Sequence, residues 1–190
     1  MTFTRGASAP ERLRIVQDFL NTSDWERGEE HLETPAALRS WLAGRVPLAS
    51  DADVDRGDLR RAIELREALR ELIAAHNRLP TKPDAHLVVN KASARARLRP
   101  VLDADGRSRL EPHARPIDAA LGRIIAAVHE SVADRTWVRL KACQRDTCRW
   151  AFYDRSKNGS GRWCAMAGSC GSREKNKRAY RRRRAASGAK

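Results

Sequence analysis

All four cysteines of this 190-residue chain fall in one stretch, "CQRDTCRWAFYDRSKNGSGRWCAMAGSC", from Cys143 to Cys170. Their spacing is Cys-x4-Cys-x15-Cys-x5-Cys, two close pairs joined by a longer loop. That pattern leaves two readings: two disulfides, or one tetrahedral metal site whose pairs form knuckles that the loop brings together. The opening "MTFTRGASAPERLRIV" has no uninterrupted apolar segment of a secretory leader, and no stretch approaches the length of a membrane span. The compartment expected is the cytoplasm, where disulfides are rare, and this favours the metal. Four thiolates at Cys143, Cys148, Cys164 and Cys170 would fill every coordination position of one Zn2+ ion, so the metal is expected to be structural. A chain that is 41% hydrophobic can build a core of its own. The zinc is therefore expected to fold the local module, not the whole protein.

Charge divides the chain at the same place. Residues 136–190 carry 16 Lys+Arg against 3 Asp+Glu, whereas residues 1–135 carry 22 against 21. Nearly all of the net +14 thus sits with the cysteines, where it attracts a polyanion. The predicted organisation is a helical domain over 1–135 and a small zinc-binding α+β module with a basic C-terminal helix over 136–190.

Hydrophobic spacing supports helices in the first part. "PERLRIVQDFLNT" places Leu13, Val16, Phe19 and Leu20 on one face. "TPAALRSWLAG" carries Thr34 as N-cap, Pro35 at the first helical position and Gly44 as C-cap. "DRGDLRRAIELREALRELIAAHN" carries a stripe of Leu59, Ile63, Leu65, Leu69, Leu72 and Ile73 against a face of alternating charges. "PDAHLVVNKASA" reads as a further helix. Asp105-Gly106 between alternating runs reads as one β-hairpin. "PIDAALGRIIAAVHESVADRT" returns to helix with Ile117, Leu121, Ile124, Ile125, Val128 and Val132 inward. Beyond Thr136, "WVRLKAC" and "RWAFYD" read as short strands flanking a metal knuckle, and "REKNKRAYRRRR" as a basic helix. The two parts are expected to have separate cores.

The finger residues resemble a known family. "C-x4-C-x-W-x-F-Y-D-x-S-x-N", then "R-W-C-x-M" and "C-G-x-R", followed by a basic helix, is similar to the CGNR zinc finger. Phe152, Tyr153, Asp154, Ser156, Arg162, Trp163, Cys164 and Met166 agree with that pattern, while Ser172 replaces the family's Asn. "DFLNT", "LETPAALRSWL" and "AIELREALREL" look like landmarks of the ABATE domain that precedes such fingers. The resemblance implies zinc and a bacterial, stress-related transcriptional regulator that binds DNA.

Arg173 stands three residues past the last ligand, so a metal-held backbone would aim it at a base edge. Lys175, Lys177, Arg178, Arg181, Arg182, Arg183 and Arg184 follow and are expected to grip phosphates of duplex DNA. Two alternatives stay open: an RNA-binding protein, or a zinc-stabilised protein-interaction scaffold with an incidental basic tail. Asp154 is expected to pair with Arg162 or cap the Ser156 turn. The charge-balanced first part could dimerise or sense a small-molecule effector, with Asn21, Thr22, Trp25 and Trp41 as candidate lining and a core role as the plainer reading. No catalytic constellation stands out, so an enzyme is not expected.

Overall fold

The computed structural model describes residues 7–49, 51–165 and 170–187. Met166 and the side chain of Arg178 lie outside the described residues.

Helix α1 (Glu11–Leu20) buries Leu13, Val16, Phe19 and Leu20, as its spacing requires. A two-residue ladder follows, β1 (Ser23–Asp24) with β2 (Glu29–Glu30), too short to leave a pattern in the sequence. Helix α2 (Pro35–Ala43) starts where Thr34 Oγ1 accepts from the Ala37 N–H, and Gly44 ends it. Helix α3 (Arg56–Ala75) opens on a reciprocal capping box between Asp55 and Asp58. Helix α4 (Ala85–Ala96) leads into the expected hairpin, β3 (Leu98–Leu102) with β4 (Ser108–Pro112). Asp103 Oδ1 ties that turn by accepting from the N–H groups of Asp105 and Arg107. Helix α5 (Pro116–Ala133) packs against α1, α4 and β4. Its Gly122 is a packing requirement, since a Cβ there would lie 2.6 Å from that of Ala96. Among the described residues no helix is long and apolar enough to cross a membrane.

After a single 3-10 turn (Trp137–Arg139) come β5 (Leu140–Ala142) and β6 (Ala151–Tyr153), paired antiparallel, and then helix α6 (Cys170–Ser187). The fold is thus mainly α, with small antiparallel strand pairs and the four cysteines gathered near the C-terminus.

Four expectations change. Trp137–Arg139, expected as the start of a strand, form the 3-10 turn, and the strand is only Leu140–Ala142. The cores are not separate: Leu140, Ala142 and Ala151 belong to the same buried cluster as Phe19, Leu65 and Ile125. Val132 is 54% exposed, because it lies in the last turn of α5, past the packed helices. Arg66 and Arg70, on the expected charged face of α3, are both only 3% exposed. Arg66 forks onto both carboxylate oxygens of Glu30 at 2.7 Å and onto Thr22 Oγ1 at 3.0 Å. Arg70 donates to the carbonyls of Leu20 and Arg149.

The β5–β6 hairpin is sealed at its outer edges by side chains of the helical part. Asn21 pairs with Ala151 as a strand would, its amide donating to the carbonyl at 2.9 Å and accepting from the N–H at 2.9 Å. Gln17 also donates to the Ala151 carbonyl, at 3.2 Å. On the other edge, Asn77 donates to the Ala142 carbonyl at 2.7 Å, and His76 Nδ1 meets that of Leu140 at 2.8 Å. Asn21→Ala strands the buried Ala151 N–H and should cost about 1–3 kcal/mol. Helix signal in circular dichroism and release of zinc to an indicator should shift to lower denaturant together. Zinc release with the helical signal unmoved would contradict the shared core.

Candidate metal centre and adjoining basic helix

The side chains of the hairpin alternate between two faces. Leu140, Ala142 and Ala151 face the helical core, while Cys143, Trp150 and Phe152 face the other way into a second cluster with Cys148, Cys164 and Cys170. β5 delivers Cys143 at its end. The turn before Trp150 delivers Cys148, whose N–H donates to the Arg145 carbonyl at 2.9 Å. The first residue of α6 is Cys170. Trp150 therefore walls the cysteine cluster, as a miniature core residue and not a base-stacking platform.

All four thiols are buried and free, and their sulfurs lie within 4.8 Å of one another. Cys148 and Cys164 are 3.8 Å apart and Cys164 and Cys170 3.7 Å. Tetrahedral zinc with bonds of ~2.3 Å sets its sulfurs about 3.8 Å apart. Disulfide sulfurs would be ~2.05 Å apart. The electrostatics agree. Hydrogen bonds from the neighbouring thiols of Cys148 and Cys164 hold Cys143 down at about 4, against the cost of its burial. The same sharing pushes the Cys148 and Cys164 thiols up. Sulfurs packed this closely share protons, and all four can ionise together only when a divalent cation takes up the charge.

The loop between the ligand pairs is held by a buried ion pair absent from the sequence reading. Lys141 Nζ lies 2.7 Å from Asp154 Oδ2, both side chains almost fully buried. Lys141 also donates to the carbonyls of Gly159 and Gly161. Asp154 accepts from the N–H groups of Ser156 at 3.0 Å and Gly161 at 2.8 Å. The expected Ser156 turn cap is thus present, whereas the charge partner is Lys141, not Arg162. Burial pushes the Asp154 carboxyl up, but the Lys141 ammonium and these donors override it and hold the group at about 2. Gly161 is needed because a Cβ would sit 2.7 Å from the Asp154 carboxylate.

Helix α6 carries the expected cations outward. Arg173, Lys175, Lys177 and Arg181, Arg182, Arg183 and Arg184 are all exposed. Arg173, Lys177, Arg181 and Arg184 follow the helical repeat and share one stripe. Ser172, in place of the family Asn, is half-buried in the first turn of α6.

Sequence reasoning missed Glu26. Its Oε1 accepts from Arg145 Nη1 and from Arg173 Nη1, each at 2.5 Å. Glu26 stands in the turn between β1 and β2, which Asp24 fixes by accepting from the N–H groups of Glu26 and Arg27. Nothing local in the sequence marks a partner more than a hundred residues away.

The four candidate effector residues do different jobs. Asn21 clasps the hairpin, and Thr22 Oγ1 donates to the Phe19 carbonyl while receiving Arg66. Trp41 is core, 5.4 Å from the Phe19 ring and under the Arg45 guanidinium. Trp25 is 47% exposed with Arg70 over its ring.

Two family models match the chain. ABATE, described as "Putative stress-induced transcription regulator", covers residues 13–135, and the CGNR zinc finger covers residues 139–184. No curated protein matches it. With the match to a zinc finger family, the sulfur geometry identifies the cysteine cluster as the ligand set of one structural Zn2+ ion. Elemental analysis of protein purified without chelator should give about one zinc per chain. Cys164→Ser should lower that stoichiometry and destabilise the helical core as well, read by thermal melting. Full zinc occupancy in Cys164→Ser would remove that residue from the ligand set.

Proposed function

The chain belongs to the ABATE family and carries a CGNR zinc finger, and from that premise we propose that it binds duplex DNA through α6 as a regulator of transcription. The observation that carries the reading is where α6 begins. Its first residue is the fourth zinc ligand, so the metal fixes the helix at the end that bears Arg173. An Arg held in this way can select a base by bidentate contact. Further along, the stripe of Lys177, Arg181 and Arg184, with the cations beside it, grips phosphates and sets affinity without reading sequence. The role is binding, not catalysis.

In this reading the N-terminal part controls the finger through Glu26. A carboxylate bonded to Arg145 and Arg173 occupies the guanidiniums that a phosphate or a guanine would use. It also puts a negative charge beside the approaching backbone. DNA binding then requires Glu26 to let go, and whatever shifts the β1–β2 turn shifts affinity.

Selection from a random duplex pool supplies the site for both tests. Arg173→Ala should cost about 1–3 kcal/mol on the selected duplex and little on a scrambled one. Neutralising two of Arg181 to Arg184 should weaken both duplexes alike and reduce the salt slope by roughly 2. Equal effects of the two changes on both duplexes would reduce α6 to a diffuse cationic tail. A preference for structured RNA over every duplex would replace DNA as the partner.

Glu26→Gln tests the control. The variant should bind duplex DNA several-fold more tightly than wild type at moderate salt. Weaker binding would mean that Glu26 buttresses Arg173 for reading instead of withholding it.

A further inference from the structure

We propose that the cleft between the end of α3 and the loop 158–162 of the finger is a binding site for a phosphate group. The cleft has a volume of about 200 Å³. Asn77 and Arg78 form one wall, and Gln144, Asn158, Ser160 and Arg162 belong to the other. The site lies where the helical part and the finger meet, a usual place for ligand clefts.

Charge and saturation point to an anion. No carboxylate lines the cleft. The ammonium of Lys141 at its base is already neutralised by Asp154. Arg78 and Arg162 are different. Among the described residues neither guanidinium has an ion-pair or hydrogen-bond partner, in contrast to Arg66, Arg70 and Arg139, which are committed to internal acceptors. Both residues line one small polar cleft.

The walls are fixed before any ligand arrives. The Arg162 carbonyl accepts from Asn77 Nδ2 and from the Gln144 N–H, both at 3.0 Å. Gly159 and Gly161, which also line the cleft, are tied to Lys141 and Asp154. Arg78 sits at φ 56°, a left-handed conformation that terminates the α3 end and holds its backbone through a bond to the Ala75 carbonyl. Two guanidiniums carried on backbone fixed in this way can bind a tetrahedral oxyanion through paired N–H groups.

Size sets the class of ligand. Whole small-molecule sites enclose roughly 300–1,000 Å³. The cleft is smaller than that, so it takes the phosphate group and leaves the remainder of the ligand outside. The group can come from a free phosphorylated molecule or from a nucleic-acid backbone lying across the junction. The site stands on its own residues in the first case and rests on the DNA reading in the second.

The experiment uses the full zinc-loaded chain and two probes. Calorimetry with inorganic pyrophosphate compares wild type with Arg78→Asn and Arg162→Gln. Asn suits the left-handed backbone at 78. Arg12→Gln, on the exposed side of α1, controls for net charge. Salt titrations of duplex DNA binding use the same four proteins. Zinc content and melting temperature check folding, and Arg78→Gly and Arg162→Met replace any variant that fails this check.

Pyrophosphate binding that falls at least tenfold in the two cleft variants and not in Arg12→Gln supports a free phosphorylated ligand. A salt slope that falls by about 1 in each cleft variant relative to Arg12→Gln supports a backbone phosphate. Pyrophosphate binding remains decisive for a free ligand if the chain does not bind DNA. The proposal is overturned if neither response appears, or if Arg12→Gln has the same effect as the cleft variants.

Discussion

Strands β5 and β6 are three residues each, and such a hairpin is marginal in water by itself. Here it has two apolar faces with different tasks. Leu140, Ala142 and Ala151 close the helical core, and Cys143, Trp150 and Phe152 close the zinc centre. A substitution on either face is felt on the other, because one backbone carries both. The edges would ordinarily expose N–H and C=O groups. Asn21, Asn77 and His76 satisfy them from α1 and the end of α3. The finger is consequently a continuation of the helical domain, and zinc anchors α6 to the whole chain.

What the sequence disclosed and what it hid follow from the range of the interactions. Thr34, Pro35 and Gly44 bound α2 through contacts within a turn of themselves, so their meaning is local. The apolar stripe of α5 and the cysteine spacing are periodic or compact signals, and both were legible. Arg66 and Arg70 were not. On the helical wheel they border the stripe of Leu65, Leu69 and Ile73, and Arg66 is buried with the adjoining Glu67 and with Glu30, 36 residues away, as its carboxylate partners. Asn21 read as a helix exit because its partner Ala151 is 130 residues distant. The alternation through Leu140–Cys143 and Trp150–Tyr153 was visible as strand. That both faces are dry could be known only once the helices were placed.

Ion pairs with at least one buried member recur at the points where segments of unrelated sequence must be fixed. Arg66 with Glu30 pins the β1–β2 ladder to α3, and Lys141 with Asp154 pins the loop 156–161 to β5. Burying such pairs costs desolvation that their attraction only partly offsets, so they are weak as sources of stability. Their geometric demands are strict. Gly161 shows this directly, since the Asp154 carboxylate lies where its side chain would begin. The loop that joins the two ligand pairs thus has one arrangement in which Lys141 is fully satisfied.

The same logic gives the β1–β2 turn its place in the proposed control of α6. The finger region holds three acids of its own, Asp146, Asp154 and Glu174, and Asp154 is spent on Lys141. The carboxylate that meets Arg145 and Arg173 comes instead from Glu26, on a turn fixed by Asp24 and adjoining the ladder that Glu30 and Arg66 secure. A ligand of α6 that competes with Glu26 must therefore do work against this turn. By reciprocity, an effector that favours the displaced turn raises the affinity of α6 for its ligand by the factor by which that ligand raises the effector's own affinity. The coupling is bounded by one partly exposed carboxylate shared between two guanidiniums, which places it in the range of surface ion pairs that salt weakens. Control of this kind grades affinity and does not switch it off, and it is strongest where ionic strength is low.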